Sequence, residues 1–410
     1  MKLGINSNEM QKANRCLVLK ILMENGSITR QKLSLKTGLH KATITNIINE
    51  FLEIGIITSN SNGSNVKRGE LLRFQASNMY TLSVGINRKD YRICLYTLDG
   101  AALTQFKKKI SVHDNVYLIY EQLLNDIKAL LSPIPKKNIL GICVGMPGPY
   151  IRKEHDIALV TGFKQLSSIN IPRMLEKALG IPVLSEHDAR LAAYAEWKNR
   201  EKIQSSPITS LVTLRSIGLG VGAGIVIEGK MVRGQIGTAG EIGHMGINFN
   251  ACRTSGNNCG IYEYYSGTES AVRYMLERLF EFPESSLNEF STYQDIVTAY
   301  KEREPLATYA MEKLAWMLGY GIANIIYLIN PDCIILDEDY PDYPPFLEKV
   351  KQTLKEFVHP YILESISVRF SDSKDDTILL GGYYLVLEQR FQENTLIDYI
   401  KEAVGGAGTE

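Results

Sequence analysis

The sequence predicts an α/β protein that begins with a separate winged helix-turn-helix domain. Three observations support this prediction. Residues 27–57 show the apolar periodicity of two helices joined by a glycine turn, a polar segment follows them, and from Tyr80 onward short apolar strands alternate with helices. With 410 residues, 45% of them hydrophobic, the chain is long enough to form two or three domains.

The longer helix of the first segment has one apolar face and one polar face. Its apolar residues recur at helical spacing, at Ile44, Ile47, Ile48, Phe51 and Leu52. The opposite face carries side chains that suit base edges and phosphates, namely Lys41, Thr43, Thr45, Asn46 and Asn49. Gly38 permits a positive-φ turn between the two helices, and Thr29 is a candidate N-cap for the first of them. This pattern is typical of a helix-turn-helix that docks in a major groove.

Charge separates this segment from the rest of the chain. Residues 1–76 contain 11 Lys and Arg against 5 Asp and Glu, whereas the other 334 residues contain 34 against 40. A basic domain on a mildly acidic body favours double-stranded DNA as a partner. The alternative is a plain packed three-helix segment.

A wing is predicted after the second helix. Ser59–Asn65 is polar and turn-rich, and the flanking segments Gly55–Ser59 and Glu70–Phe74 would close a β-hairpin. Lys67 and Arg68 follow this loop and are candidates to contact phosphates or a minor groove. A solvated loop is the alternative.

The remaining chain predicts a two-lobed α/β fold. Strands at 81–86 and 91–98, a crossover helix at about 115–131 and a strand at 139–146 begin a ribonuclease-H-like unit of the kind found in sugar kinases and actin. The same strand, turn and strand arrangement starts again near residue 208. We therefore predict domains at 1–76, 77–207 and 208–400, with the last helix a candidate to pack back on the first lobe, and a flexible tail at 401–410.

Composition excludes several classes of protein. The sequence contains no apolar run near the roughly 20 residues that span a bilayer, and residues 1–12 do not form a signal peptide, so we expect a cytoplasmic protein without a membrane partner. Six cysteines, at positions 16, 94, 143, 252, 259 and 333, show no disulfide framework. Only Cys252 and Cys259 are close enough in sequence to suggest a shared site.

Six motifs together resemble the ROK family (repressors, open reading frames and kinases), in particular its xylose-repressor-like transcriptional regulators. Residues 14–57 resemble the family's winged helix-turn-helix. The other five motifs follow in the family's order: GICVGMPGPY (141–150), SEHDARLAAYAEW (185–197), GLGVGAGIVIEGK (218–230), AGEIGHM (239–245) and LGYGIANIIYLINPDCIILD (318–337). The resemblance covers nearly the whole chain. It implies a sugar-kinase-like fold behind a DNA-binding head.

The kinases of this family carry an aspartate and paired glycines, D-x-G-G-T, after their first strand. Here the corresponding residues run from Val84 to Asp90, with Asn87 and Arg88 where small glycines would let backbone N–H groups approach phosphate. After the strand CIIL, Asp337, Glu338 and Asp339 replace the family's Gly-Gly pair and would repel phosphates if they faced the cleft. We therefore expect neither ATP binding nor enzymatic activity.

The resemblance implies a sugar site. Asp188 matches the catalytic base of the kinases, and His187 stands where the family usually has Asn. Glu241 and His244 match the E-x-G-H pair that holds ring hydroxyls. Glu263 corresponds to the glutamate after the cysteine cluster, and Pro147 and Gly148 shape the neighbouring loop. The expected ligand is a small sugar or sugar phosphate.

The family also has a structural zinc site, with one His and three Cys in the pattern H...C-x-C-G-x-x-G-C. His244, Cys252 and Cys259 match three of the four ligands, but Thr254 stands at the middle cysteine. Zinc is therefore a candidate with an incomplete ligand set, and the alternative is a zinc-free loop.

These features favour a sugar-responsive repressor of carbohydrate-utilisation genes, xylose metabolism among them. We expect a homodimer, or a dimer of dimers, on a two-fold DNA operator. Two alternatives stay open: a ROK sugar kinase with a fused DNA-binding domain, and an effector-independent regulator with a vestigial sugar lobe.

Overall fold

The computed structural model describes residues 6–60, 70–75, 78–151, 157–158, 163–200, 208–218, 220–251, 253–254, 257–373 and 376–405. The chain divides into two compact units. The first unit comprises residues 1–145, 170–185 and 382–410, and the second comprises residues 146–169 and 186–381.

The helices are, in chain order, α1 (Ser7–Asn25), α2 (Arg30–Thr37), α3 (Lys41–Glu53), α4 (Val116–Leu131), α5 (Ile171–Leu179), α6 (Asp188–Asn199), α7 (Tyr262–Ser266), α8 (Glu269–Arg278), α9 (Tyr293–Lys301), α10 (Pro305–Ile329), α11 (Pro344–Phe357), α12 (Pro360–Leu363), α13 (Thr377–Gln392) and α14 (Leu396–Gly405). The strands are β1 (Ser27–Thr29), β2 (Ile57–Ser59), β3 (Leu71–Phe74), β4 (Tyr80–Ile86), β5 (Asp90–Thr97), β6 (Ala102–Lys109), β7 (Ile139–Met146), β8 (Tyr150–Ile151), β9 (Ile157–Ala158), β10 (Val183–His187), β11 (Ser210–Ile217), β12 (Gly220–Ile227), β13 (Lys230–Met231), β14 (Arg253–Thr254), β15 (Asn257–Asn258), β16 (Cys333–Leu336) and β17 (Ser367–Phe370).

The head, formed by the described residues from 6 to 75, confirms the predicted winged helix-turn-helix. Gly38 ends α2 with φ +70°, and Thr29 caps α2 by accepting a hydrogen bond from the Lys32 N–H. Strand β3 pairs antiparallel with both β1 and β2, so the predicted hairpin is part of a three-stranded sheet. Four members of the predicted apolar stripe of α3 are buried, and Leu52 is half-buried.

A five-stranded sheet in the order β10-β7-β4-β5-β6 supports the first unit. Strand β4 is antiparallel to β5 and parallel to β7, as the ribonuclease-H-like pattern predicts. Sequence analysis did not identify β6. This edge strand is exposed at six of its eight positions and lacks the alternation of a half-buried strand.

The end of the chain returns to the head. Lys401 on α14 pairs with Glu50 on α3 at 2.6 Å, and Asp398 pairs with Lys12 on α1 at 2.7 Å. We predicted a flexible tail from residue 401, but residues 401–405 continue α14 because contacts with the head support the helix. Residues 406–410 lie outside the described part.

The second unit repeats the strand arrangement of the first. Its sheet has the order β13-β12-β11-β16-β17, with β11 antiparallel to β12 and parallel to β16. Helix α10 crosses the core of this unit and buries Leu314, Leu318, Ile322 and Ile326 completely. The two sheets thus give the duplicated two-lobed fold that the sequence predicts. No helix among the described residues is long and apolar enough to span a membrane.

Candidate functional site

The exposed face of α3 carries the predicted DNA-contacting residues. Lys41, Thr45, Asn46 and Asn49 are exposed, and Thr43 is half-buried. The Thr45 hydroxyl donates to the Lys41 carbonyl oxygen at 2.9 Å, which leaves the hydroxyl oxygen as an acceptor. Lys67 and Arg68 lie outside the described residues, so their contacts stay predictions.

A second cluster lies in the second unit, where β10 meets α6. The His187 Nε2 atom is 3.4 Å from Asp188 Oδ1 and 3.8 Å from Glu241 Oε1. A Cβ atom at Gly148 would lie 2.2 Å from His187 Nε2 and 2.8 Å from Glu241 Oε1. Glycine is therefore required at position 148, since any side chain would displace the imidazole or the carboxyl. Pro147, just before it, is buried.

Three buried polar atoms of this cluster have no hydrogen-bond partner within the described residues. They are Glu241 Oε1, His187 Nδ1 and Arg190 Nη2. An unpaired buried polar atom costs about 1–3 kcal/mol, and most buried polar groups in folded proteins are paired. These atoms are an acceptor, an imidazole nitrogen and a donor, and the charge of Arg190 acts on both Glu241 and His187.

The electrostatics of the cluster favour an uncharged ligand. Burial raises the pKa of Glu241, and the charges of Asp188 and Glu263 add to this effect and outweigh Arg190, so the pKa reaches about 7. Burial lowers the pKa of His187, because the protonated imidazole would have to be held away from water. The imidazole is therefore neutral at pH 7, and the cluster carries excess negative charge.

A buried ion-pair network positions Glu241, and sequence analysis missed it. Arg190 Nε donates to Glu186 Oε1 at 2.7 Å, and both side chains are 0% exposed. Arg190 Nη1 donates to the carbonyl oxygens of Gly237 and Ala239, which anchors the loop before Glu241. Arg233 Nε donates to Glu186 Oε2 at 2.7 Å. Burial alone would raise the pKa of Glu186, but the two guanidinium groups lower it to about 2.

One sequence signal pointed to this network. Glu186 and Arg190 are opposite charges four residues apart, next to the apolar stretch 191–195 where unpaired charges are not expected. Their partners at 233, 237 and 239 are more than 40 residues away and carry no local signal.

The other predicted sugar and zinc residues that the structure describes are more exposed than the His187 side chain of the cluster. Glu263 is half-buried, and its Oε2 would be 2.7 Å from a Cβ atom at Gly243. His244 is exposed at the end of a 3-10 turn, Ile242–His244. Cys259 is half-buried, and Cys252 lies outside the described residues. Among the described residues no group of three or more possible ligands could hold a metal ion, so the zinc site stays a prediction.

The turn at 87–90, where the kinases bind phosphate, is filled by its own side chain. Asn87 Oδ1 accepts hydrogen bonds from the backbone N–H groups of Lys89 and Asp90, at 2.7 and 2.9 Å. Asn87 Nδ2 donates to Asp90 Oδ1 at 2.8 Å, and both residues are buried. The backbone donors that would bind phosphate are therefore already used within the turn.

The carboxylates after β16 are not an uncompensated acidic cluster. Asp337 is buried and paired with Arg215 on β11, and Asp339 Oδ2 lies 3.4 Å from Arg215 Nη2. The idea that three free carboxylates repel phosphate here is therefore wrong for Asp337 and Asp339. Arg215, which sequence analysis missed, contacts both carboxyl groups and balances one negative charge.

Comparisons with known proteins agree with this fold. The model of the ROK family matches residues 81–389, and that of a winged helix-turn-helix DNA-binding domain matches residues 13–58. The xylose repressor of Caldicellulosiruptor bescii is 25% identical over 399 residues, which cover 93% of this chain and 97% of that protein. A glucokinase of Halalkalibacterium halodurans is 25% identical over 331 residues, 76% of this chain and 96% of that protein. The structure of a ROK family transcriptional regulator, a homologue of the E. coli MLC protein, has a TM-score of 0.79 and 24% identity, and the match covers 96% of this chain and 99% of that one.

The raised pKa of Glu241 predicts a pH-dependent stability. Between pH 4.5 and about 7 the unfolded chain releases this proton while the folded chain keeps it, so the contribution of Glu241 to wild-type stability should fall as pH rises. Glu241→Gln removes this effect. The free energy of unfolding of the variant relative to wild type should increase across this window, by at most about 1.4 kcal/mol per pH unit, as measured by denaturant titration. A difference that stays constant with pH would contradict the assignment.

Proposed function

This chain belongs to the ROK family, and from that premise we propose that it is a sugar-responsive transcriptional repressor that binds double-stranded DNA through its head. The observation that carries the sugar response is the set of unpaired atoms on Glu241, His187 and Arg190. A basic helix-turn-helix on the same chain supports the DNA partner. Relatives named xylose repressors span nearly the whole chain, which supports regulation of carbohydrate use.

The proposed effector is an unphosphorylated sugar, with D-xylose as the first candidate. Three carboxyl groups, those of Asp188, Glu241 and Glu263, act on one another electrostatically in the cluster. Glu186 forms a fully buried pair with Arg190 and also pairs with Arg233, so this network adds one positive charge against the three carboxyl groups. A phosphate group would therefore meet net negative charge, whereas hydroxyl groups can donate to the carboxylates and accept from Arg190.

The proposed repressor is not a kinase. Support comes from the 87–90 turn, whose backbone donors are held by Asn87, and from β4, where Val84 or Gly85 stands at the position of the aspartate in the kinases' motif. Phosphoryl transfer depends on phosphate positioning and on metal-binding carboxylates. Asp188, the match to the family's base, would then serve only as an acceptor for a sugar hydroxyl.

Two-fold operators are the expected targets, because helix-turn-helix proteins commonly bind as dimers to two half-sites about one helical turn apart. We propose a homodimer, or a dimer of dimers. The effector would then change the affinity of the head for DNA by binding one of two arrangements of the dimer more tightly, of which only one fits the operator.

Replacing Glu241 by Ala should produce a repressor that no longer responds to its sugar. A thermal-shift panel of unphosphorylated and phosphorylated sugars first identifies the effector, which at 100 times its dissociation constant should stabilise the chain by about 2.7 kcal/mol. Glu241→Ala should then lose about ten- to hundredfold in effector affinity, because a sugar hydroxyl loses its partner. Operator binding without effector should be unchanged.

The matched control is Glu284→Ala, which removes an exposed carboxylate of the same unit. Operator-binding titrations with effector should shift along the concentration axis for Glu241→Ala alone. Superimposable titrations for all three proteins would show that Glu241 is structural. Stabilisation by sugar phosphates alone would refute the proposed ligand class.

Purified protein should not phosphorylate the sugar that it binds. The expected result is no sugar-dependent release of ADP from ATP, in a coupled assay, by wild type or by Asp188→Asn. Turnover by wild type that disappears in Asp188→Asn would establish the kinase alternative instead.

A further inference from the structure

The recognition helix α3 carries an asparagine whose carbonyl oxygen is already occupied. Both terminal nitrogens of Arg30, at the start of α2, donate to Asn49 Oδ1, at 3.2 and 3.3 Å. A guanidinium group has only donors, so the amide atom that faces it must be the oxygen. The orientation of the Asn49 amide follows from this chemistry, and its two N–H donors point away from Arg30.

Arg30 is held in this place by more than the one contact. Its side chain is half-buried, and its Nε atom is fully buried. The stem is therefore packed, and the guanidinium has less freedom than that of a surface arginine. Asn49 itself is exposed and lies three and four residues beyond Asn46 and Thr45, on the same face of α3.

An asparagine reads adenine in the major groove through both ends of its amide. The oxygen accepts from adenine N6 while the nitrogen donates to N7. With the oxygen occupied by Arg30, only the amide donors remain. They can bind guanine O6 and N7 or thymine O4, whereas adenine offers the single acceptor N7 beside its N6 donor. Adenine would offer its N6 donor to a group that can no longer accept it.

We propose that Arg30 is a specificity-determining residue, because it leaves Asn49 able only to donate hydrogen bonds to a base. This proposal rests on the proposed DNA-binding function. The operator position that Asn49 contacts is then preferentially guanine or thymine, and adenine is disfavoured because it loses the hydrogen bond from its N6 group. Arg30 acts here through Asn49 and is a positioning residue for it. The same geometry assigns no base to Thr45 or Asn46.

The test is selection of operator sequences from a randomised duplex library by the full-length protein, followed by the relative affinity for each base at each position. The Asn49-dependent position is the one whose preference disappears in Asn49→Ala. At that position wild type should favour guanine or thymine. Arg30→Met keeps the stem but removes the donors, and adenine should gain about tenfold relative to wild type.

Three further variants make the result specific. Arg30→Lys keeps donors that reach Asn49 and should retain the wild-type preference. Arg73→Met removes an exposed positive charge from the same head and should weaken binding to all sequences without changing base preference. The double variant Arg30→Met, Asn49→Ala should show no gain for adenine. Thermal melting checks that each variant is folded.

Several results would overturn the inference. They are a wild-type preference for adenine at the Asn49-dependent position, an Arg30→Met variant that loses affinity uniformly, and an Asn49→Ala variant that alters no position. A wild-type protein that enriches no sequence would instead refute the proposed DNA-binding function itself. Asn49→Ala, a substitution at an exposed position whose folding is checked by thermal melting, locates the operator position. At that position the wild-type preference alone decides between adenine and guanine or thymine.

Discussion

The fully buried pair of Glu186 and Arg190 is the interaction on which the candidate sugar site depends. Breaking a buried ion pair by removing one partner costs about 3–5 kcal/mol, because the other charge stays behind unpaired. Here the pair also sets geometry, since Arg190 binds the Gly237 and Ala239 carbonyls and Glu186 binds Arg233. The chain between 233 and 239 is thereby held, and Glu241 follows it beside His187. The network pairs both carboxylate oxygens of Glu186 and leaves one carboxyl oxygen of Glu241 without a hydrogen-bond partner among the described residues.

In the head, the buried face of α3 provides stability and its exposed face carries the candidate DNA-contacting residues. Apolar residues of α3 are buried, and Glu50 is paired with both Arg15 and Lys401. Half-exposed ion pairs of this kind contribute only about 0–1 kcal/mol each, so the apolar stripe provides most of the stability. The ion pairs help to orient α3, because they join it to α1 and to α14 within one unit. The opposite face of α3 carries the residues proposed to contact DNA. Arg30 sets the orientation of the Asn49 amide on this face.

Sequence patterns predicted the features that repeat at short range. The helical period of Ile44, Ile47 and Phe51, the glycine at 38 and the buried strands β4 and β7 were all identified correctly. Strand β6 was missed because an exposed edge strand has no apolar alternation. Arg215 and Arg30 were missed because their partners are distant in sequence, and an arginine is also common on a surface. The pattern of Glu186 and Arg190 was a local signal for their pair, but the contacts of Arg190 with residues 237 and 239 had no such signal. The pairing of Asp337 and Asp339 with Arg215 reversed the interpretation of that acidic segment for the same reason.

The central claim is that the unpaired Glu241 carboxyl receives a hydroxyl group of the effector. A hydroxyl that donates to a carboxylate favours its charged form, so effector binding near pH 7 should release protons from Glu241. The direct measurement is calorimetric titration of the full-length protein with its sugar at pH 7, in two buffers that differ in ionisation enthalpy. The account predicts a binding heat that differs between the buffers for wild type and is the same in both for Glu241→Gln. A wild-type heat independent of the buffer, or an equal buffer dependence in the variant, would contradict it.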